Sequence, residues 1–138
     1  VPAQHVALIE ASLPYFETES HIFVHANYDP ELPLPEQPEY LLRWTLLEDP
    51  YPGPHVSGRK VVVGHTEQRN GEILDLGHVA CIDTYCRGYG WLTAMDVNSE
   101  TIWQASRFGV MREGEPVEPL RQLKGAMEEL TFSDQGVG

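Results

Sequence analysis

The chain has 138 residues, 41% of them hydrophobic and 22% charged, which suits one globular domain with a sizeable core. Its formal net charge of −12 argues against a nucleic-acid partner, because phosphate backbones are held by clustered Lys and Arg. No stretch approaches the ~20 apolar residues of a membrane span, and the N-terminus lacks a basic region followed by an apolar run, so a cytoplasmic protein with no membrane partner is expected.

Residues 5–16 begin with apolar positions at near-helical spacing and run into Pro14, which predicts a short helix. Residues 21–26 (His-Ile-Phe-Val-His-Ala) are β-prone and stop at the turn-rich Asn27-Tyr28-Asp29-Pro30, which places His25 at the C-terminal end of a buried strand. Prolines 30, 33, 35 and 38 predict an extended loop, and Glu39–Leu47 reads as a helix. After a Pro- and Gly-containing loop at 48–58, Lys60-Val-Val-Val-Gly64 has the continuous apolar pattern of a strand covered on both faces, and His65 follows it directly. Short strands are expected at 72–74, 78–83, 91–97 and 101–106, the last two as a hairpin. From Arg107 onward the β character is expected to end, leaving a peripheral tail with one helical patch at Leu120–Leu130.

Ligand sites in sheets flanked by helices gather outside the C-terminal ends of strands. His25 and His65 both stand at such ends, each followed by small or polar residues that leave the imidazole room to turn into a shared cleft. Neutral imidazole is the commonest metal-binding side chain, so two of them form a plausible half-shell. The pattern alone leaves a structural role open, since His5, His21, His55 and His78 show how readily His occurs without a function, and a His at a strand end is more often structural or solvent-facing. Cys81 and Cys86 are too few for a disulfide framework and lack zinc-knuckle spacing; both are expected to be reduced and packed.

Three segments occur in order: Phe23-Val-His-Ala-Asn-Tyr-Asp-Pro30, Val62-Val-Gly-His-Thr66, and Ala80-Cys-Ile-Asp-Thr-Tyr-Cys-Arg-Gly-Tyr-Gly-Trp-Leu-Thr-Ala-Met-Asp96. Together they resemble the second half of the phosphoprotein phosphatases, calcineurin-like metallophosphoesterases that include bacterial Ser/Thr phosphatases and diadenosine tetraphosphate hydrolases. The resemblance covers about residues 5–106. The family usually shows His-Ala-Gly, Gly-His-Thr and Ile-Asp-Thr-Gly leading to Gly-Gly-x-Leu-Thr-Ala. Here Asn27, Tyr85 and Tyr89 replace glycines. Asn27 still tolerates a left-handed backbone, and Tyr85 either places a phenol near the cleft or fills space.

The resemblance implies that His25 and His65 bind the same one of two divalent metals, Mn²⁺ first among them, and that a metal-activated hydroxide attacks a phosphorylated substrate, either a phosphoprotein or a dinucleoside polyphosphate. The family's three earlier motifs, Gly-Asp-x-His-Gly, Gly-Asp-x-x-Asp-Arg-Gly and Gly-Asn-His-Glu, do not occur in these residues. They are expected upstream, so this chain alone is expected to be inactive and to bind metal weakly. Arg43 lies near the family's phosphate-facing Arg, or is an exposed helix residue; its guanidinium would offset the repulsion between an acidic surface and phosphate. Asp83 either orients a ligand His or forms a turn. Arg69 and Arg87 are loop residues able to line the cleft, while Trp44, Trp91 and Trp103 are expected to anchor the core.

The expected fold is α/β, the C-terminal portion of the metallophosphoesterase sandwich, with a mixed β-sheet and flanking helices over 1–106 and a peripheral tail over 107–138. The alternative function is a non-catalytic interaction module that keeps the phosphatase-like fold. If upstream strands normally cover one sheet face, a dimer or higher assembly of the isolated chain is also expected.

Overall fold

The computed structural model describes residues 1–114. Its elements are helix α1 (Ala3–Glu10), strands β1 (Tyr15–Glu17) and β2 (His21–Val24), helix α2 (Glu39–Trp44), and strands β3 (Lys60–Val63), β4 (Leu74–Asp75), β5 (Val79–Cys81), β6 (Trp91–Met95), β7 (Ile102–Ser106) and β8 (Met111–Gly114). A single 3-10 turn at Leu34–Glu36 interrupts the proline-rich loop. The described residues are thus mixed α/β, with few helices.

Five strands form one mixed sheet in the order β1-β2-β3-β5-β4, with β2, β3 and β5 parallel and β1 and β4 antiparallel at the edges. The register places Phe23 beside Val62 and Val62 beside Ala80. Side chains alternate across a strand, and the two faces are covered differently. Ile22, Val24, Val61, Val63, Val79 and Cys81 point into a core closed by Tyr28, Leu34, Leu42 and Leu47 from the loops and α2. On the opposite face, Ala80 and Ile82 meet Ile102 and Met95 of the second sheet. That sheet is antiparallel, in the order β6-β7-β8.

Several sequence expectations are corrected. The first helix ends at Glu10 rather than at Pro14, and Tyr15-Phe16 instead join a strand, because the β-prone pair finds an antiparallel partner in Phe23-Val24. No residue of α1 is buried, so it adds nothing to the core. The β character persists beyond Arg107: Met111–Gly114 pairs with β7, a contact supplied by tertiary pairing and not marked by local composition. The helical patch at Leu120–Leu130 lies outside the described residues.

Trp44 was expected in the core and is 72% exposed, and Trp103 is 39% exposed. Leu42 is the buried residue of α2, and a residue two positions later lies about 200° round a helix, on the far side. Trp91 is half-buried beneath the Arg112 guanidinium, 4.1 Å from its ring centre. Cys81 is packed as expected, but Cys86 is exposed. No helix of the described residues is long and apolar enough to cross a membrane.

Candidate metal half-site

Parallel pairing of β2 and β3 brings two strand ends side by side. The backbone N–H of Gly64 donates to the His25 carbonyl at 2.9 Å, so the residues just past both strands stay tied together. His65 then adopts φ 63°, a left-handed conformation uncommon for a residue with a Cβ. The turn is held on its far side, where Thr66 Oγ1 accepts the Leu47 N–H at 2.7 Å. Such backbone strain gathers at sites where a side chain must be aimed.

His25 Nε2 and His65 Nδ1 lie 3.1 Å apart, with ring centres 4.8 Å apart and planes inclined by 60°. Two nitrogens held about 2.1 Å from one ion are about 3.0 Å apart at a right angle and about 3.4 Å apart at the tetrahedral angle. The observed separation falls between these values, and it also allows one imidazole to donate a hydrogen bond to the other. Burial lowers the proton affinity of His25, the neighbouring His65 charge lowers it further, Asp83 opposes this, and Arg43 adds a smaller lowering. The neutral form, the one that can ligate a metal, is therefore favoured. Among the described residues no group of three or more His, Cys, Asp or Glu side chains is placed to hold an ion. The residues present fit a metal as two ligands of an incomplete shell.

Asp83, Thr84 and Cys86 line the same open cavity of about 380 Å³ as the two histidines, with Phe23, Val62, Ile82 and Leu92 forming its apolar wall. Asp83 acts on His25 through its charge; the hydrogen bond its Oδ1 accepts, at 3.2 Å, comes from the Tyr85 backbone and not from a histidine. Tyr85 itself has φ 66°. Its carbonyl accepts the N–H groups of Gly88 and Gly90, both at 3.1 Å, which folds the 85–90 loop back on itself. Thr84 closes this loop: its carbonyl accepts the Trp91 N–H at 2.8 Å, and its hydroxyl donates to the Trp91 carbonyl at 2.7 Å.

A second groove of about 490 Å³ opens on the other side of His25, lined in part by Leu13, Tyr15, Phe16, Phe23 and Arg43. Arg43 thus shares a groove with His25, its Nε donating to Glu39 Oε1 at 2.8 Å. The indole of Trp44 stands perpendicular to the His65 ring, with centres 6.3 Å apart. Arg69 and Arg87 are not brought to this place; both side chains are 76% exposed and face Glu67. Asn27 does not use a left-handed backbone. It is buried as a staple, donating from Nδ2 to the Leu46 carbonyl at 2.8 Å while its Oδ1 accepts the Tyr28 N–H.

Sequence reasoning missed the exposed Trp44 beside His65 and the placement of Cys86 in the cavity wall. The helical period from Leu42 carried a signal for Trp44. Nothing local to Cys86 did, because its position follows from the fold of the 85–90 loop. The chain matches no protein-family model, no curated protein and no solved structure.

Proposed function

We propose that this chain supplies half of a dinuclear-metal phosphoesterase site, with His25 and His65 as ligands to one of two divalent metals, Mn²⁺ first among them. The observation that carries the reading is the convergence of two imidazole nitrogens to 3.1 Å at neighbouring strand ends, inside segments that resemble those of the phosphoprotein phosphatases. The left-handed Tyr85 supports it, because Tyr85 stands where that family has a glycine. Under this reading the two sheets belong to a metallophosphoesterase sandwich with flanking helices, and the remaining ligands come from a segment bearing the family's earlier motifs.

The substrate class is a phosphorylated protein or a dinucleoside polyphosphate, and the setting is cytoplasmic. A bound metal pair supplies charge neutralisation and water activation to phosphoester hydrolysis. The chain's own contribution is to hold two neutral imidazoles at fixed spacing and to set Arg43 in the groove at His25 as a planar, bidentate partner for phosphoryl oxygens. The charge of Asp83 acts on His25 in the sense that favours a cation there.

The second reading is a non-catalytic interaction module, favoured by the lack of a third ligand among the described residues. Calorimetric titration of the chain with Mn²⁺ separates the two. We expect weak binding that disappears in the His25→Ala/His65→Ala double variant, and no phosphatase activity from the chain alone. Equal Mn²⁺ binding by chain and double variant would sink the half-site.

A further inference from the structure

The helix α2 carries one buried residue, Leu42; Tyr40 and Trp44, two positions to either side, turn the other way, and Arg43 lies half-buried on the flank. Tyr40 is 67% exposed and Trp44 72% exposed. An indole left this open forgoes most of the stabilisation that burial gives a large aromatic side chain. Its placement is nevertheless specific: perpendicular to the His65 ring at 6.3 Å, and next in sequence to the arginine that lines the groove at His25.

We infer that Trp44 is a specificity residue, a shelf on which the planar aromatic leaving group of a phosphate ester stacks while the phosphoryl group lies between Arg43 and the histidine pair. This rests on the reading of His25 and His65 as the phosphate-side half-site. The geometry favours an aryl ester over a nucleoside. The Trp44 and His65 ring centres are separated by 6.3 Å, so a ring bonded directly to the ester oxygen stays within reach of the indole, whereas a nucleobase is set back by a ribose. Flat π faces prefer offset or edge-on partners, and Tyr40, one helical turn before Trp44, extends the aromatic strip. Arg43 adds the anion-binding element, its guanidinium held from the other side by Glu39.

The test follows the three indole N–H resonances of the nitrogen-15-labelled full chain with Mg²⁺ present, the Trp44→Phe variant assigning one of them to Trp44. Phenyl phosphate, glycerol phosphate and adenosine monophosphate are titrated in turn. We expect a saturable shift of the Trp44 signal with phenyl phosphate, about fivefold tighter than glycerol phosphate, the size of one aromatic contact. Adenosine monophosphate should resemble glycerol phosphate. Trp44→Ala should remove the fivefold preference, read calorimetrically, and Trp44→Phe should restore it, with Mg²⁺ affinity unchanged in both.

The shelf is overturned if phenyl phosphate leaves the Trp44 signal unmoved, or binds no better than glycerol phosphate, or if adenosine monophosphate matches it. The metal reading is scored separately, by Mg²⁺ titration of the His25→Ala/His65→Ala variant. A Trp44 response to phenyl phosphate that persists alongside unchanged metal affinity in that variant supports the shelf and removes the metal half-site.

Discussion

Lys60 Nζ lies 2.7 Å from Asp75 Oδ2, reaching from β3 across the intervening β5 to the edge strand β4. The pair is largely shielded, at 16% and 8% side-chain exposure, and Glu100, from the turn between β6 and β7, comes within 3.8 Å of the same ammonium. One cation therefore ties the sheet's edge to the hairpin of the second sheet. Lys60→Met leaves a buried carboxylate without its partner, and we expect a loss of about 3 kcal/mol in urea unfolding. Lys60→Met/Asp75→Leu, which removes both charges, should recover much of it. A single variant as stable as the parent would show the pair to be energetically idle.

The histidine pair predicts a pH response of the metal-free chain. Burial first, then the His65 charge, hold His25 below its ordinary value of 6.5. The unfolded chain therefore binds more protons than the folded one as pH falls through 6.5, and stability declines from there until His25 itself protonates. His65→Ala removes the second cause and leaves the first. The His25 titration, followed by ring-proton chemical shift, should move upward in that variant yet stay below 6.5. A downward move would contradict the assigned coupling.

Gly90 is fixed by a contact. A Cβ built at this residue would lie 1.8 Å from the Thr84 carbonyl oxygen, which accepts the Trp91 N–H. Backbone on both sides leaves no flexible atom to give way, so Gly90→Ala should unfold or open the 85–90 loop. We expect a cost of about 2 kcal/mol or more, and loss of protection at the Trp91 amide in hydrogen exchange. Gly109→Ala, where a Cβ meets nothing within 4 Å but φ is 79°, should cost only about 1 kcal/mol.

The two cysteines should differ in reactivity. Cys81 is buried, and burial pushes its thiol upward, partly opposed by a backbone hydrogen bond from Asp83. Cys86 is exposed in the wall of the histidine cavity. Iodoacetamide at neutral pH should label Cys86 in the native chain and Cys81 only in denaturant, as read by peptide mass. Labelling of both at equal rates would contradict the packed position of Cys81.

Much of the five-stranded sheet was legible in residues 21–26 and 60–65, because continuous apolar runs ending in turn residues leave few alternatives to buried parallel strands. The meeting of His25 and His65 depended on those same strand ends and on a resemblance. The rest was settled by contacts between distant residues. β8 forms because β7 offers an open edge, and Tyr15-Phe16 become a strand because β2 does. Trp44 was misplaced through its apolar neighbours, although the helical period from Leu42 pointed outward. Asn27 shows that a residue able to adopt a left-handed backbone need not use it, whereas His65 and Tyr85 do.

Phe23 and Ile82, half-buried, and Leu92, exposed, line a cavity that opens to solvent on a chain with a formal charge of −12. Like charges and a greasy face act in opposite directions, and salt changes only the first strongly: the screening length shortens from about 10 Å at 0.1 M to about 3 Å at 1 M, while sulfate strengthens apolar burial. The colloidal behaviour of the chain is thereby set by ionic strength. Dilute buffer should keep the particles dispersed, and concentrated ammonium sulfate should drive this face into reversible self-association, visible as a rise in scattered light.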